Sequence, residues 1–256
     1  MSARLLPIIR LTLLEARRTR LLWFAVLVVA VGVGVALFLD SIAITEAREI
    51  RVGALAAGLR LAAMLLVSLF VIGSTLREFD DKVVDLLLSL PLPRAVYLLG
   101  KLAGFVVFAA LVSGLFMVPL LFMAEPFGVV LWGGALVAEL AIVAALALFC
   151  LLTFQNLSVA LSVVVAFYLL ARSMGAIQLM ARGTFYDPGS LFHVASAWAV
   201  DGVAFLLPEL YRFGPAEWLM YGTADAGALL PVVGQTLIYV ALLVAAALFD
   251  LYRREF

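Results

Sequence analysis

Val129–Thr153 reads VVLWGGALVAELAIVAALALFCLLT, and Glu139 is its only charge. A helix rises 1.5 Å per residue, so this stretch covers about 37 Å, against the roughly 30 Å of a bilayer's hydrocarbon core. Apolar residues fill every face rather than alternating with polar ones, which argues against the strand of a membrane β-barrel. Hydrocarbon offers peptide groups no partner, so such a segment closes its own hydrogen bonds as a helix. Working outward, five further runs meet the same length and polarity test: Leu21–Leu39, Val52–Leu76, Leu98–Ala124, Ser158–Met180 and Leu229–Phe249. The sequence predicts an all-α polytopic membrane protein with six transmembrane helices, residues 1–256 forming one transmembrane domain.

Composition agrees. Apolar residues make up 66% of the chain and charged residues 13%, with a mean hydropathy of +1.21. Soluble domains hold about 45–50% and about 25%. The excess apolar surface cannot fit inside one core and must face lipid. Net charge is zero, which argues against a nucleic-acid partner. One cysteine, Cys150, precludes an internal disulfide, and with a single histidine, His193, little remains for a metal site. Five arginines precede the first apolar run and no small-residue cleavage site follows it, so that run is expected to stay in the mature chain.

Two flanking regions carry more than polarity. In residues 1–20, Leu5, Ile8, Ile9, Leu13 and Leu14 recur at helical spacing among Arg4, Arg10, Arg17, Arg18 and Arg20. This is either an interfacial amphipathic helix, the reading adopted here, or an ordinary charged flank of the first span. Residues 181–228 form the long connection between spans five and six. Their Ser190–Leu207 stretch imitates a seventh span, but it holds His193 and Asp201 and ends at Pro208. Charge is costly on a lipid-facing helix, so an outer loop with one or two short helices on or dipping into the outer leaflet is expected. With both termini cytoplasmic, 11 basic residues fall inside and 6 fall outside or within the membrane, which favours that orientation.

The dense charge cluster between spans is REFDDKVVDLLLSLPLPR, Arg77–Arg94, placed inside by this orientation. Pro91 and Pro93 end any helix there. Such a segment is either a short helix docking on another protein or a solvated loop obeying the positive-inside rule. Arg77-Glu78, then Asp85-Leu86-Leu87-Leu88-Ser89-Leu90-Pro91-Leu92-Pro93-Arg94, then Leu98-Leu99-Gly100-Lys101 resemble the signature of permeases of type-two ABC exporters, the ABC-2 superfamily. The chain departs from it at Lys82-Val83, where many members carry Gly-Thr. The layout is similar over nearly the whole length. Leu206–Phe213 and Phe249–Arg254 are also similar to the subgroup of copper-enzyme maturation (Nos-type) permeases.

The resemblance implies a transport subunit, not itself an enzyme, in a bacterial inner membrane. It implies a partner ABC ATPase that binds ATP and Mg and docks on the coupling region, residues 77–97. The ATPase-coupling candidates are Arg77, Glu78, Asp80, Asp81, Asp85, Pro91, Arg94 and Lys101. It also implies a second permease copy, identical or similar in sequence, packed through spans one and five, where Ala171 and Gly175 are the dimer candidates. The residues themselves agree that any motor is separate. No G-x-x-x-x-G-K-[ST] is present; Gly100-Lys101 has Ala95 where the first glycine belongs and Leu102 after it. A small or lipid-like cargo is expected. The alternatives are an ATP-independent secondary transporter or channel, a membrane scaffold, or an intramembrane enzyme. No inverted repeat supports the first of these, and no nucleophile–base set or paired catalytic carboxylates support the last.

Three charges fall inside spans: Arg60, Glu139 and Arg172. Counted from the outer ends, Arg60 lies about 12 Å and Glu139 about 15 Å deep, close enough in level to pair. Together they are either part of a substrate path or a structural ion pair with one snorkelling arginine. Gly100 and Gly104 form a G-x-x-x-G that permits close helix approach. Trp and Tyr near the span ends are expected to form interfacial belts, and His193 to lie at the outer leaflet.

Overall fold

The computed structural model describes residues 2–42, 47–80, 94–182 and 191–253, without the side chains of 2–6, 42, 47, 80 and 191–193. Of these residues 90% are helical and none is in a strand. The helices are α1 (Ser2–Arg18), α2 (Leu21–Ile42), α3 (Ala47–Asp80), α4 (Arg94–Leu121), α5 (Pro126–Phe154), α6 (Leu157–Ala181), α7 (Leu191–Leu206), α8 (Glu217–Met220) and α9 (Leu229–Arg253). Six of them, α2 to α6 and α9, are long and apolar enough to cross a membrane. The chain is an all-α polytopic integral membrane protein.

The expected spans and the helices differ only at their ends. α3 begins five residues before the apolar run, because Arg51 pairs with Asp40 of α2 at 3.1 Å and extends the polar first turns. α5 starts on Pro126, whose missing N–H costs nothing at the first helical position. It ends at Gln155 in the left-handed conformation (φ 53°), and Asn156 at once caps α6 by accepting from the Ser158 and Val159 amides at 3.0 and 3.2 Å. A two-residue turn suffices because an asparagine side chain replaces the missing carbonyls.

α5 is the centre of the bundle and packs against α3, α4, α6 and α9. Within its most apolar window 83% of residues are buried in protein, against 11% for α2 and for α9, whose apolar surfaces are left for lipid. An all-round apolar sequence was needed at both places, for opposite reasons.

The bundle has two distinct ends. The proximal end carries α1, the ends of the 80–94 connection, the α5–α6 turn and the end of α9. Thr153 donates to Asp250 at 2.6 Å there, and Arg94 to the Leu251 carbonyl at 2.7 Å. α1 lies along α4. The G-x-x-x-G of α4 is the seat of this contact: a Cβ at Gly104 would stand 2.8 Å from Thr12 Cβ, and one at Gly100 3.0 Å from Ile8 Cδ1. Thr12 and Ala16 are buried while Leu11 and Leu14 stay exposed, as an amphipathic helix at an interface requires.

At the distal end, α6 finishes and α9 begins, so the 182–228 connection leaves and returns on the same side. α7 runs along α6, held by an ion pair between Arg182 and Asp201 that explains the charge in so apolar a stretch. The chain then bends by 69° into Leu210–Met220, made of a 3-10 turn (Leu210–Arg212) and α8. By length and apolarity this bent pair is a broken span or a re-entrant loop; its second limb, the re-entrant segment, packs between the spans, where Phe213 is fully buried. The connection therefore dips into the bundle rather than lying only on it.

Candidate functional site

Two polar clusters interrupt the apolar bundle, one at the level of the re-entrant segment and one at the proximal end. The first is built on helix interiors. Arg60 of α3 and Glu139 of α5 are 4% and 0% exposed, and Arg172 of α6 is 29% exposed. Arg60 Nη1 lies 3.6 Å from Glu139 Oε2, and Arg172 Nη1 lies 3.9 Å from the same oxygen. Tyr168 is buried beside them.

The arginines spend their hydrogen bonds elsewhere. Arg60 Nη1 donates to the Phe213 carbonyl and Nη2 to the Gly214 carbonyl, both at 2.6 Å. Arg172 Nη1 donates to the Leu210 carbonyl at 2.5 Å and to that of Phe213 at 3.4 Å. The Arg60 guanidinium also lies 5.4 Å from the Trp132 ring centroid. Irregular backbone at membrane depth has carbonyls with no helical partner, and each would cost several kcal/mol if left dry. A guanidinium supplies a planar fork of donors that fits two successive carbonyls. Gly214 makes the fit possible: its φ is +56°, and a Cβ there would stand 3.1 Å from Arg60 Nη2 and 3.3 Å from the Trp132 ring.

Neither oxygen of Glu139 meets a donor at hydrogen-bonding geometry. Its contribution is charge. Two guanidinium groups and one carboxylate leave a net positive cluster, and the carbonyl dipoles of the re-entrant turn face the excess. Chemically the cluster can hold the re-entrant backbone in place.

The second cluster straps the proximal end. Lys101 of α4, only 2% exposed, extends its Nζ to Glu78 Oε1 and Ser74 Oγ of α3, at 2.5 and 2.9 Å, and lies 3.7 Å from Glu15 Oε2 of α1. Ser74 donates to Glu15 Oε2 at 2.5 Å, Tyr97 donates to Glu78 Oε2 at 2.6 Å, and Arg77 reaches Glu15 Oε1 at 3.3 Å. Glu15, Glu78, Arg77 and Lys101 balance in charge. Three helices are tied together at the two ends of the charged 81–93 stretch.

The residues expected from the sequence divide between those the structure places and those outside its description. Arg60, Glu139 and Arg172 come together. Arg77, Glu78 and Lys101 come together in the strap, where Glu78 and Lys101 face inward. Arg94 is turned to α9, beside the Leu251 carbonyl and 5.8 Å from the Tyr252 ring. Asp80 ends α3 with its side chain outside the description, and Asp81, Asp85 and Pro91 lie outside the described residues. His193 sits on α7, its side chain likewise outside the description. Ala171 is fully buried, and a Cβ on Gly175 would stand 2.8 Å from the Tyr211 ring. Both small residues admit neighbours from the chain itself, among them Tyr211 of the re-entrant segment at Gly175. Among the described residues no group of three or more His, Cys, Asp or Glu side chains forms a metal site.

Glu15 and Ser74 were missed by sequence reasoning, as were the carbonyl acceptors of Leu210, Phe213 and Gly214. Glu15 had a signal, being the one acid in a basic amphipathic helix; the carbonyls had none. Compared with known proteins, the chain matches no family model and no curated protein.

Proposed function

We propose that this chain is the membrane-spanning subunit of an ATP-driven ABC-type exporter of the type-two class, with both termini in the cytoplasm of a bacterial inner membrane. A separate ATPase would bind ATP and Mg, and a second permease copy would complete the path. The subgroup resembling copper-enzyme maturation permeases is the narrower form of this reading. Its support is the signature residues from Arg77 to Lys101, together with one structural observation. The proximal strap ties α1, α3 and α4 rigidly on either side of the charged 81–93 stretch. A force applied to that stretch would move three helices as one, as a motor docked there requires. A second copy would pack through the first and fifth spans, α2 and α6.

The experiment is capture of a candidate ABC ATPase by the purified protein in nanodiscs. Asp85→Lys is the informative variant, because Glu78 is engaged inside the strap and its reversal would damage the fold as well as any interface. Stoichiometric capture by the unmodified chain, lost in Asp85→Lys, supports the reading. No capture by a folded preparation removes it.

One observation favours a second reading, an ATP-independent transporter or channel. A re-entrant segment held over an intramembrane ion cluster is a common way to line an ion or solute path. Flux through liposomes lacking any ATPase, abolished by neutralising Glu139, would bring that reading forward.

A further inference from the structure

The distal end leaves a cleft between the re-entrant segment and the first turns of α9. It encloses about 730 Å³, within the roughly 300–1,000 Å³ of small-molecule sites. Its two walls differ. The re-entrant segment contributes Glu209, Tyr211, Arg212, Glu217 and Trp218. The α9 wall is largely apolar and carries Tyr239 and Gln235.

The charges on the first wall are unequal in commitment. Arg212 Nη1 is 3.1 Å from Glu209 Oε2, and its guanidinium lies 5.6 Å from the Tyr211 ring centroid. The Tyr211 hydroxyl completes this group by donating to Glu209 Oε1 at 3.4 Å. Glu217 forms no ion pair among the described residues. Glu209, Arg212 and Glu217 together leave one negative charge, beside three aromatic side chains. Carboxylate and ring faces both attract cations, and the exposed Glu217 carboxylate on the cleft wall disfavours an anion. A purely apolar occupant would fill the α9 wall but leave that charge without a counterpart.

We propose that this cleft binds an amphipathic monocation, an alkylated ammonium or phosphonium head on an apolar body. The head sits at Glu217 among the aromatic rings, and the body lies along α9. The site is independent of the ATPase reading above, and its assay contains no ATPase.

The test uses the full chain in nanodiscs of phosphatidylglycerol and phosphatidylethanolamine and two probes of matched shape and opposite charge, tetraphenylphosphonium and tetraphenylborate. Binding is measured by equilibrium dialysis, with empty discs subtracted. The expected result is saturable uptake of one tetraphenylphosphonium per chain and no saturable tetraphenylborate. Glu217→Gln should weaken the cation about tenfold. Gln235→Lys, which sets a positive charge on the α9 wall, should abolish saturable binding, and Asp250→Asn, at the opposite end of α9, should leave it unchanged. Equal uptake of both probes, no excess over empty discs, or full affinity in folded Glu217→Gln and Gln235→Lys would each overturn the proposal. Repeating the titration at a fixed phosphatidylglycerol fraction, with phosphatidylcholine replacing phosphatidylethanolamine as the remaining lipid, identifies the source of the cation at constant surface charge. Competition there means that a lipid's choline head occupies the cleft; unchanged affinity means a free amphiphile.

Discussion

The two polar clusters solve opposite problems with similar side chains. At the proximal strap, acids and bases are equal in number and hydrogen-bond to one another: Lys101 to Glu78, Tyr97 to Glu78, Ser74 to Glu15. In the interior clasp, the bases outnumber the acid, and the arginines bond to backbone carbonyls while Glu139 receives no hydrogen bond. The strap holds helices whose own backbone is satisfied, so side chains are free to pair. The clasp holds a stretch of irregular backbone in a dry place, so donors must go to carbonyls first. A charge in a span need not line a path; here the first demand on it is structural.

The comparison breaks most readily at Arg60. Arg60→Leu leaves Glu139 buried with its nearest partner gone and strands two carbonyls, so a loss of about 3–5 kcal/mol is expected. Arg60→Lys keeps the charge but not the two-pronged fork, and should lose most of the same stability. Unfolding in mixed micelles reads both; a wild-type curve for Arg60→Lys would mean that charge alone matters and that the carbonyl clasp is incidental. Arg60→Leu combined with Glu139→Leu should be less destabilised than Arg60→Leu alone, since no orphan carboxylate remains.

A second, smaller effect sharpens the proximal side. Gly104→Val drives a side chain into Thr12 and should lift α1 from α4, at about 1–3 kcal/mol. Limited proteolysis at the N-terminal arginines would report the release. An unchanged cleavage rate would show that the strap alone holds α1. The smallest effect serves as a baseline away from both clusters. Asn156→Ala removes the α6 cap and should cost about 1 kcal/mol, visible as a few degrees in thermal unfolding and leaving ATPase capture intact.

The six spans were legible because length and polarity along each run meet a bilayer's thickness without help from tertiary structure. Even Asn156, between two apolar runs, marks its turn. The long 181–228 connection was legible only as a region too charged for a span and too apolar for water. Its dip depends on whether Phe213 and Gly214 find donors, and those donors lie over 150 residues away on α3. Gly100 and Gly104 announced a close approach without naming what approaches. Ala171 and Gly175 likewise marked a close approach without saying which neighbours they admit; Tyr211 of the same chain is one of them, at Gly175. Glu78 stands in a charged, exposed-looking context and Lys101 near the start of an apolar run, yet the convergence of three helix ends brings the two together.

The sequence by itself determined that this chain lives in a membrane as six helices, because burial in hydrocarbon depends on local composition and on backbone hydrogen bonds closed within each segment. Tertiary structure decided where each charge goes. Pairing needs two groups brought within a few ångströms, and Arg60 has both Glu139 and the Gly214 carbonyl within reach only once α3, α5 and the re-entrant segment have packed together.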